Sequence, residues 1–241
     1  MHHQVQLYIT DIQNRKPYLT EPGLFCNSGI ILNDMNLEDS DIIPLIEAMI
    51  DPNHLEFTKN IRHLSLNNNS LEKVDLSKLQ WLLSLQIANN NLIEFKPPRG
   101  GLQYLNLSNN AIEKLYLSNN HYLQCALLDF NKLKFLDVHN ITFLELLSLS
   151  NNENLESVVL PNDIRRYGSC TVLLANTHLN GENIIALEKL SKDNPNFLIE
   201  FGDDKPDFTK YDISFAITTV KYNYFFAKKL EFQEIAGRFS G

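Results

Sequence analysis

The chain has 241 residues, of which 44% are hydrophobic and 21% are charged, proportions typical of a folded globular protein. Its 29 acidic and 21 basic residues give a formal net charge of −8 at pH 7, which argues against the basic surface that nucleic-acid binding needs. The sequence shows no secretory leader and no apolar run long enough to span a membrane, so we expect a cytoplasmic protein without a membrane partner.

The first recurring pattern starts near residue 24, and residues 1–23 before it are assigned to an N-terminal flank. The segment GIILNDMNL then spaces its aliphatic residues as a strand and a following turn would, although Met35 stands at the turn. The next segment, EDSDIIPLIEAMI, has apolar residues at helical spacing over 42–49, with either Asp39 or Ser40 as its N-cap. A strand followed by a helix is therefore predicted at the start of the array.

Five consecutive units of 20 or 21 residues follow, each with the pattern L-x-x-L-x-L-x-x-N-x-L. Their leading aliphatic residues are separated by 21, 20, 21 and 21 positions, and only the last unit shifts its final leucine by one place, to Leu155. Recurrence at a fixed period predicts a solenoid whose coils each make one strand, one turn and one return segment. The leading residues are Ile61, Leu82, Leu102, Leu123 and Leu144.

An asparagine follows the strand in each of these units. A chain that turns inward after a strand buries backbone N–H and C=O groups, and an unpaired buried group costs on the order of 1–3 kcal/mol. The carboxamide has two donors and two acceptor lone pairs, enough to bond the turn of its own coil and that of the next. We therefore predict a buried structural ladder of Asn69, Asn90, Asn110, Asn131 and Asn152. The amides before them, such as Asn68 and Asn109, are expected at the exposed turn.

The end of the array is predicted to be helical again. CTVLLANTHL repeats the strand pattern with Thr177 in the asparagine position, and NGENIIALEKLSKDN after it has the spacing of a helix. The connectors between the terminal units are too short for helices, and the tandem Pro97 and Pro98 exclude one, so extended backs are expected there. Residues 203–241 are rich in aromatic side chains and are predicted to form a C-terminal helical cap, with its helix over about 210–236.

The five units resemble the leucine-rich repeat family, and the resemblance covers roughly residues 24–202. It implies an α/β fold, a leucine-rich repeat solenoid or horseshoe with a parallel concave sheet, helical terminal repeats and a C-terminal helical cap. The double proline before LQYLNLSNN is also similar to repeats of the leucine-rich repeat effectors that intracellular bacterial pathogens inject into host cells. That narrower resemblance implies a virulence protein delivered into the host cell cytosol by a bacterial injection system.

Residues between the leucines of each strand point away from the core and are expected to line the concave face. The polar residues predicted to give hydrogen-bond specificity there are His63, Gln86, Asn106 and Asp129. The large apolar residues, which the repeat does not require, are Tyr104, Leu127, Phe130, Leu146 and Leu173. Because contiguous apolar surface with aromatic anchors marks partner sites, we predict that this set binds a protein. The alternative is that the C-terminal flank folds over the patch and buries it.

In the family that the chain resembles, the concave face holds a protein ligand, which implies a monomeric, non-catalytic binding module. The partner would be another protein, an effector or a host enzyme, and the sharper hypothesis is an inhibitor that covers an enzyme's active site. The alternative is an adaptor that brings a host protein to ubiquitin or signalling machinery through its C-terminal helix.

Catalysis is a distant third hypothesis. Cys125 and Asp129 are expected on the same face as His63, but the spacing of strands sets His63 too far away to activate the thiol directly. The three cysteines and seven histidines lack the spacing of a zinc site or a disulfide framework. No metal and no cofactor is therefore expected.

Overall fold

The computed structural model describes residues 2–14, 28–164 and 169–202. Eight short strands form one sheet and follow each other across it in chain order: β1 (Ser28–Ile31), β2 (Ile61–Ser65), β4 (Ser84–Gln86), β6 (Tyr104–Asn106), β7 (Cys125–Leu127), β9 (Leu146–Ser148), β11 (Cys170–Leu173) and β12 (Phe197–Glu200). The return segments carry β3 (Lys73–Asp75), β5 (Glu94–Lys96), β8 (Phe135–Asp137) and β10 (Ser157–Val159). The helices are α1 (His3–Gln13), α2 (Asp39–Ile50), α3 (Leu55–Thr58) and α4 (Gly181–Asp193).

The spacing of the leucines decides which side of each strand is buried in the core. Leu85 lies between Ser84 and Gln86 in β4 and points into the coil, because side chains alternate along a strand. Leu64 in β2 and Leu105 in β6 stand directly beside it in the parallel register. Every coil repeats this arrangement, so core residues stack on their counterparts and one apolar core runs along the array.

The asparagine side chains of the five units form a stack that joins the coils. Asn131 is representative: its Nδ2 donates to Leu107 O at 2.9 Å in the preceding coil and to Leu128 O at 3.1 Å in its own. Its Oδ1 accepts from Ile112 N at 3.1 Å, again in the preceding coil. Equivalent bonds are made by Asn69, Asn90, Asn110 and Asn152.

The direction of this stack differs from the predicted one. We expected each carboxamide to bond its own coil and the next, whereas each bonds its own coil and the preceding one. The reason is that the preceding turn leaves a carbonyl and an N–H unpaired beside the asparagine, as Leu107 O and Ile112 N are beside Asn131. The asparagine of the following coil thus supplies the hydrogen-bond partners that the polar backbone groups of each turn lack.

A residue with a left-handed backbone forms the turn after each repeat strand. Asn68, Asn89 and Asn109 have φ of 57°, 55° and 56°, a conformation that asparagine tolerates better than most non-glycine residues. In the fourth unit the same position holds Phe130, with φ 53°. Phe130 therefore lies on the turn and not on the strand face where we predicted it, because β7 ends at Leu127.

The backs of the middle coils are extended, as their short connectors predicted. β3 pairs with β5, and β8 pairs with β10, in parallel ladders. A single bridge joins Lys114 to Phe135 between these two pairs. Pro97 and Pro98 directly follow β5, where a residue without an N–H cannot extend a ladder. The middle coils are therefore thin.

The N-terminal flank contains a helix that we did not predict. His2 is the N-cap of α1, and its Nδ1 accepts from Gln4 N at 3.2 Å. Val5, Ile9 and Ile12 are buried where α1 packs against α2. Their spacing of four and three residues is the helical signal that the polar residues between them obscured. α1 thus extends the core at its N-terminal end.

The two predicted terminal helices are present as α2 and α4. The N-cap of α2 is Glu38 rather than Asp39 or Ser40, because the Asp39 carboxylate instead accepts from Lys73 N at 3.0 Å. Among the described helices, none combines the length and the apolar character needed to cross a bilayer. The predicted C-terminal cap, residues 203–241, lies outside the described residues, as does the flank from residue 15 to 23.

We expect Asn131→Ala to lower the free energy of unfolding by about 3 kcal/mol, because Ile112 N and Leu107 O would be buried without partners. Equilibrium unfolding in urea measures the change. The matched control is Asn119→Ala at an exposed turn, for which the change should stay within about 0.5 kcal/mol. Equal losses in the two variants would contradict a special role for the stack.

Candidate functional site

Two rows of side chains cross the concave face of the large sheet. The parallel register places them in line, strand after strand, at a spacing of about 4.8 Å, so each row is roughly 24 Å long. The first row contains His63, Ser84, Tyr104, Cys125, Leu146 and Thr171, and the second contains Ser65, Gln86, Asn106, Leu127, Ser148 and Leu173. The sheet therefore brings together seven of the nine predicted binding residues, and Asp129 and Phe130 follow β7 at the edge.

The apolar members of the two rows contact one another. Leu127, Leu146, Leu173 and Cys125 form a cluster that is separate from the solenoid core, and Tyr104 packs against it. We name these five residues the concave cluster. Leu127 is 7% exposed and Leu146 is 1% exposed. The predicted apolar patch is thus contiguous, but its leucine side chains are buried.

Two polar members, Gln86 and Asn106, are also buried, and each bonds to a neighbouring group. Gln86 Oε1 accepts from Asn67 Nδ2 at 3.0 Å, and Asn67 Oδ1 accepts from Ala88 N at 2.8 Å. Asn106 Oδ1 accepts from the backbone N–H two residues later, at 3.0 Å. Hydrogen bonds therefore hold Gln86 and Asn106 in fixed positions. His63 is 3% exposed, so its ring does not extend into solvent either.

Asp129 links its own coil to the next one. Its Oδ1 accepts from Ser150 N at 3.0 Å and from the hydroxyl of Ser148. Burial raises the pKa of Asp129 to about 6, although these hydrogen bonds act in the opposite direction. Asn67 makes the equivalent bond to Ala88 N with a neutral carboxamide. The fourth unit thus replaces a neutral acceptor with one whose charge depends on pH.

Phe130 is the exposed member of the predicted set, with 49% of its side chain accessible. In other coils, asparagines at this turn position bond to each other, as Asn89 Nδ2 does to Asn68 Oδ1 at 2.7 Å. A phenylalanine cannot make that bond, and it adopts a left-handed backbone at a higher cost than asparagine does. Folding alone does not explain the residue, and a strained exposed ring of this kind points to function.

The face has no geometry for nucleophilic chemistry by its cysteine. β4 and β6 lie between the strands of His63 and Cys125, which sets the two side chains roughly 14 Å apart. Burial raises the pKa of the Cys125 thiol, so the thiol stays protonated rather than becoming a thiolate. Within the described ranges, no three His, Cys, Asp or Glu side chains are grouped as metal ligands would be.

A second concave feature, a groove of about 350 Å³, lies on the backs of the third and fourth units. Tyr116 and Phe135 border it and are 74% and 51% exposed. Two pairs of charged or ionisable side chains line the groove: Lys134 Nζ lies 2.9 Å from Glu113 Oε2, and His139 Nδ1 lies 2.6 Å from Asp137 Oδ1. Sequence reasoning missed this groove because the repeat pattern does not constrain outward residues of the return segments.

Comparison with known proteins gives matches among solved structures only. No family model matches the sequence, and no curated protein matches it. An internalin of Listeria monocytogenes aligns over 85% of this chain and 58% of its own, with 16% identity and a TM-score of 0.50. A leucine-rich repeat protein of Leptospira interrogans aligns over 62% and 45%, with 23% identity and a TM-score of 0.42. The LRIM1/APL1C complex aligns over 78% and 55%, with 15% identity and a TM-score of 0.29.

The parallel sheet, the asparagine stack and the likeness to the internalin agree with one another. The chain has the leucine-rich repeat fold. The predicted α/β leucine-rich repeat solenoid with its parallel concave sheet is therefore confirmed in the described residues. The chain spans about half the length of the structures that it matches. The narrower resemblance to injected bacterial effectors stays a prediction.

Sequence reasoning also missed the inter-coil role of two asparagines at the start of the leucine-rich repeat array. Asn33 Oδ1 accepts from Ser65 Oγ at 2.7 Å and from Asn67 N at 2.8 Å. Asn33 and Asn67 each stand two residues before the ladder position of their coil, which Met35 and Asn69 occupy. That shared offset was the available signal, but the repeat pattern predicts only that such residues point away from the core.

We expect Asp129→Asn to change how stability depends on pH. Because the fold raises the pKa of Asp129 to about 6, its contribution is complete below its ordinary value near 3.8 and is lost as the pH rises through 6. Between pH 4 and 7, wild type should lose about 2 kcal/mol relative to Asp129→Asn in denaturant unfolding.

Asp137→Asn is the matched control for this experiment. The hydrogen bond from His139 N holds the pKa of Asp137 below its ordinary value, so its contribution is present at neutral pH and is lost as the pH falls. Relative to Asp137→Asn, wild type should therefore gain stability as the pH rises, the opposite of the change expected for Asp129→Asn. A flat difference for Asp129→Asn would contradict the raised pKa.

Proposed function

We propose that the chain is a non-catalytic protein-binding module that captures a folded protein on the concave face of its leucine-rich repeats. The observation that carries this proposal is the concave cluster, five residues in contact on the face opposite the core. The repeat pattern requires no apolar residue on that face, and small polar residues occupy it in β4. Tyr104 of this cluster is half-buried, Phe130 beside it is exposed, and aromatic anchors at an apolar centre are typical of protein interfaces.

The two kinds of side chain on the face have different roles in the proposal. Phe130, exposed at the edge, is the anchor that a partner contacts first, and Tyr104, Leu127, Leu146 and Leu173 supply the apolar centre. The buried polar residues limit which partners bind, because a partner that leaves a buried polar group without a hydrogen bond loses binding free energy. These residues are His63, Gln86, Asn106 and Asp129. Seven strands, from β1 to β11, give a surface roughly 30 Å long, comparable to one side of a standard interface.

Within this proposal, the partner is an enzyme, which is either an effector or an enzyme of the host. The chain inhibits this enzyme. A pre-formed concave sheet with fixed side chains suits a folded convex partner, since little ordering is required on binding. An active site covered by such a surface is closed to its substrate. The adaptor hypothesis depends on residues 203–241, which lie outside the described residues, and it stays an alternative.

We expect Phe130→Asn to weaken the affinity for a partner at least about tenfold, the usual loss for an aromatic anchor. The same substitution should raise the free energy of unfolding by about 1 kcal/mol, because asparagine tolerates the left-handed backbone. The partner is recovered by affinity capture with wild type, and its dissociation constant is then measured by calorimetry for each variant. Phe135→Asn, equally exposed on the convex side, is the matched control and should bind as wild type does.

Equal affinity of wild type and Phe130→Asn would overturn the placement of the site. Two further measurements separate the finer hypotheses. An inhibitor abolishes the partner's enzymatic activity at a one-to-one ratio. An adaptor holds the partner and a second protein at once, which gel filtration detects as a ternary complex while the partner stays active.

A further inference from the structure

The two outer strands of the large sheet differ in how their outer edges are paired. At the β1 edge, α1 lies against α2, and the phenol of Tyr8 in α1 hydrogen-bonds to the backbone of Ile31. Leu32 N donates to Ser65 O of β2, so the backbone groups of Ile31, one residue earlier, point away from the sheet. α1 therefore supplies a hydrogen-bond partner to the outer edge of β1.

At the opposite end of the sheet, β12 forms its described ladder with β11 alone. Leu174 N donates to Glu200 O at 2.8 Å, and Cys170 N donates to Asn196 O at 2.7 Å. Because backbone groups point to alternate sides along a strand, the N–H and C=O of Ile199 point away from β11. Within the described residues, neither of these two groups has a hydrogen-bond partner. The outer edge of β12 is therefore unpaired there.

The side chains at this edge include accessible apolar ones. Leu198 extends the first concave row beyond Thr171 and is 47% exposed, and Phe201, directly after the strand, is 37% exposed. Natural sheets commonly block an open edge with proline, lysine or a bulge, and β12 has none of these. An edge of this kind is a template for a further strand.

The edge is complementary to the same edge of a second copy that runs antiparallel to it. With a two-fold axis at Ile199, the two Ile199 residues donate to and accept from each other, as the hydrogen-bonded pair of an antiparallel ladder does. Phe201 N–H then lies opposite Phe197 O, which accepts from Ser191 Oγ at 2.8 Å and has a second lone pair. The same backbone groups thus pair on both sides of the axis.

The side chains and the far end of the sheet agree with this pairing. On the concave side, Leu198 lies opposite Glu200 of the second copy, so the two carboxylates are not directly opposed. A second copy cannot add its β1 to the edge of β12, because Tyr8 occupies the outer side of β1. Association therefore closes at two chains, whereas head-to-tail addition would produce a filament.

We propose that two copies of the chain pair their β12 edges and form a two-fold symmetric dimer with one continuous sheet. This dimer replaces the monomer that the family resemblance implies, and it does not depend on the proposed function. The first concave row of one copy then continues into the second row of the other, so the two concave faces form a single surface. Strands of four residues bury less area than a standard interface, so the dimer should dissociate on dilution.

Analytical ultracentrifugation of the full chain measures this association. Between about 1 µM and about 500 µM chain, the weight-average mass should rise from 27.8 kDa toward twice that value. Ile199→Pro removes the outward N–H, a change that an edge strand tolerates, and should raise the dissociation constant of the dimer at least about a hundredfold. Ile199→Val keeps the N–H and is the matched control, which should dimerise as wild type does.

Three results of the sedimentation experiment would overturn the proposal. The first is a wild type that stays a monomer at the highest concentration, and the second is a mass that grows beyond that of two chains. The third is a folded Ile199→Pro variant that dimerises as tightly as wild type. Circular dichroism of each variant shows whether the fold is kept.

Hydrogen exchange of the wild-type chain is a second test that needs no substitution. The amides of Ile199 and Phe201 are hydrogen-bonded across the axis in the dimer, so their exchange should slow at least about tenfold from the lowest to the highest concentration. The amide of Leu105, in the central strand β6, should exchange at one rate throughout. Slow exchange of Ile199 at every concentration would show that the edge pairs within one chain, and fast exchange at every concentration would show that it stays open. Either result would contradict the dimer.

Discussion

The fold depends on one constraint, the pairing of backbone groups that a turn buries at the end of every repeat strand. A single carboxamide completes this pairing, as Asn131 does for its own coil and for the one before it. The buried backbone groups of each coil therefore have all their hydrogen bonds only when the following coil is folded. Folding is thus cooperative between neighbouring coils. The pairing also fixes the offset from strand to asparagine, which is the same in all five units although the units have 20 or 21 residues. The straight rows on the concave face are a consequence of that fixed offset.

Regular units make the irregular one informative. In the fourth unit the outward residue of the second row is Leu127, the inter-coil acceptor is Asp129, and the turn residue is Phe130. The preceding units have polar side chains such as Gln86 at the first of these positions, and asparagine at the turn. None of the three changes helps the coil to fold: one places an apolar side chain opposite the core, one buries a carboxyl, and one strains the backbone. Their concentration in a single unit is the reason why the proposed partner site is centred there.

The parts of the molecule that could be predicted from the sequence are those that local periodicity determines. Strand positions, extended backs and terminal helices follow from spacing within about 20 residues, so the described fold agrees with the pattern. α1 was missed because its three buried residues, Val5, Ile9 and Ile12, stand outside any repeat and are packed against α2. The site was only partly predictable. The spacing of residues identifies the two rows. Contacts between distant segments decide where the strand ends, which places Phe130 on the turn, and how deeply Leu146 is buried.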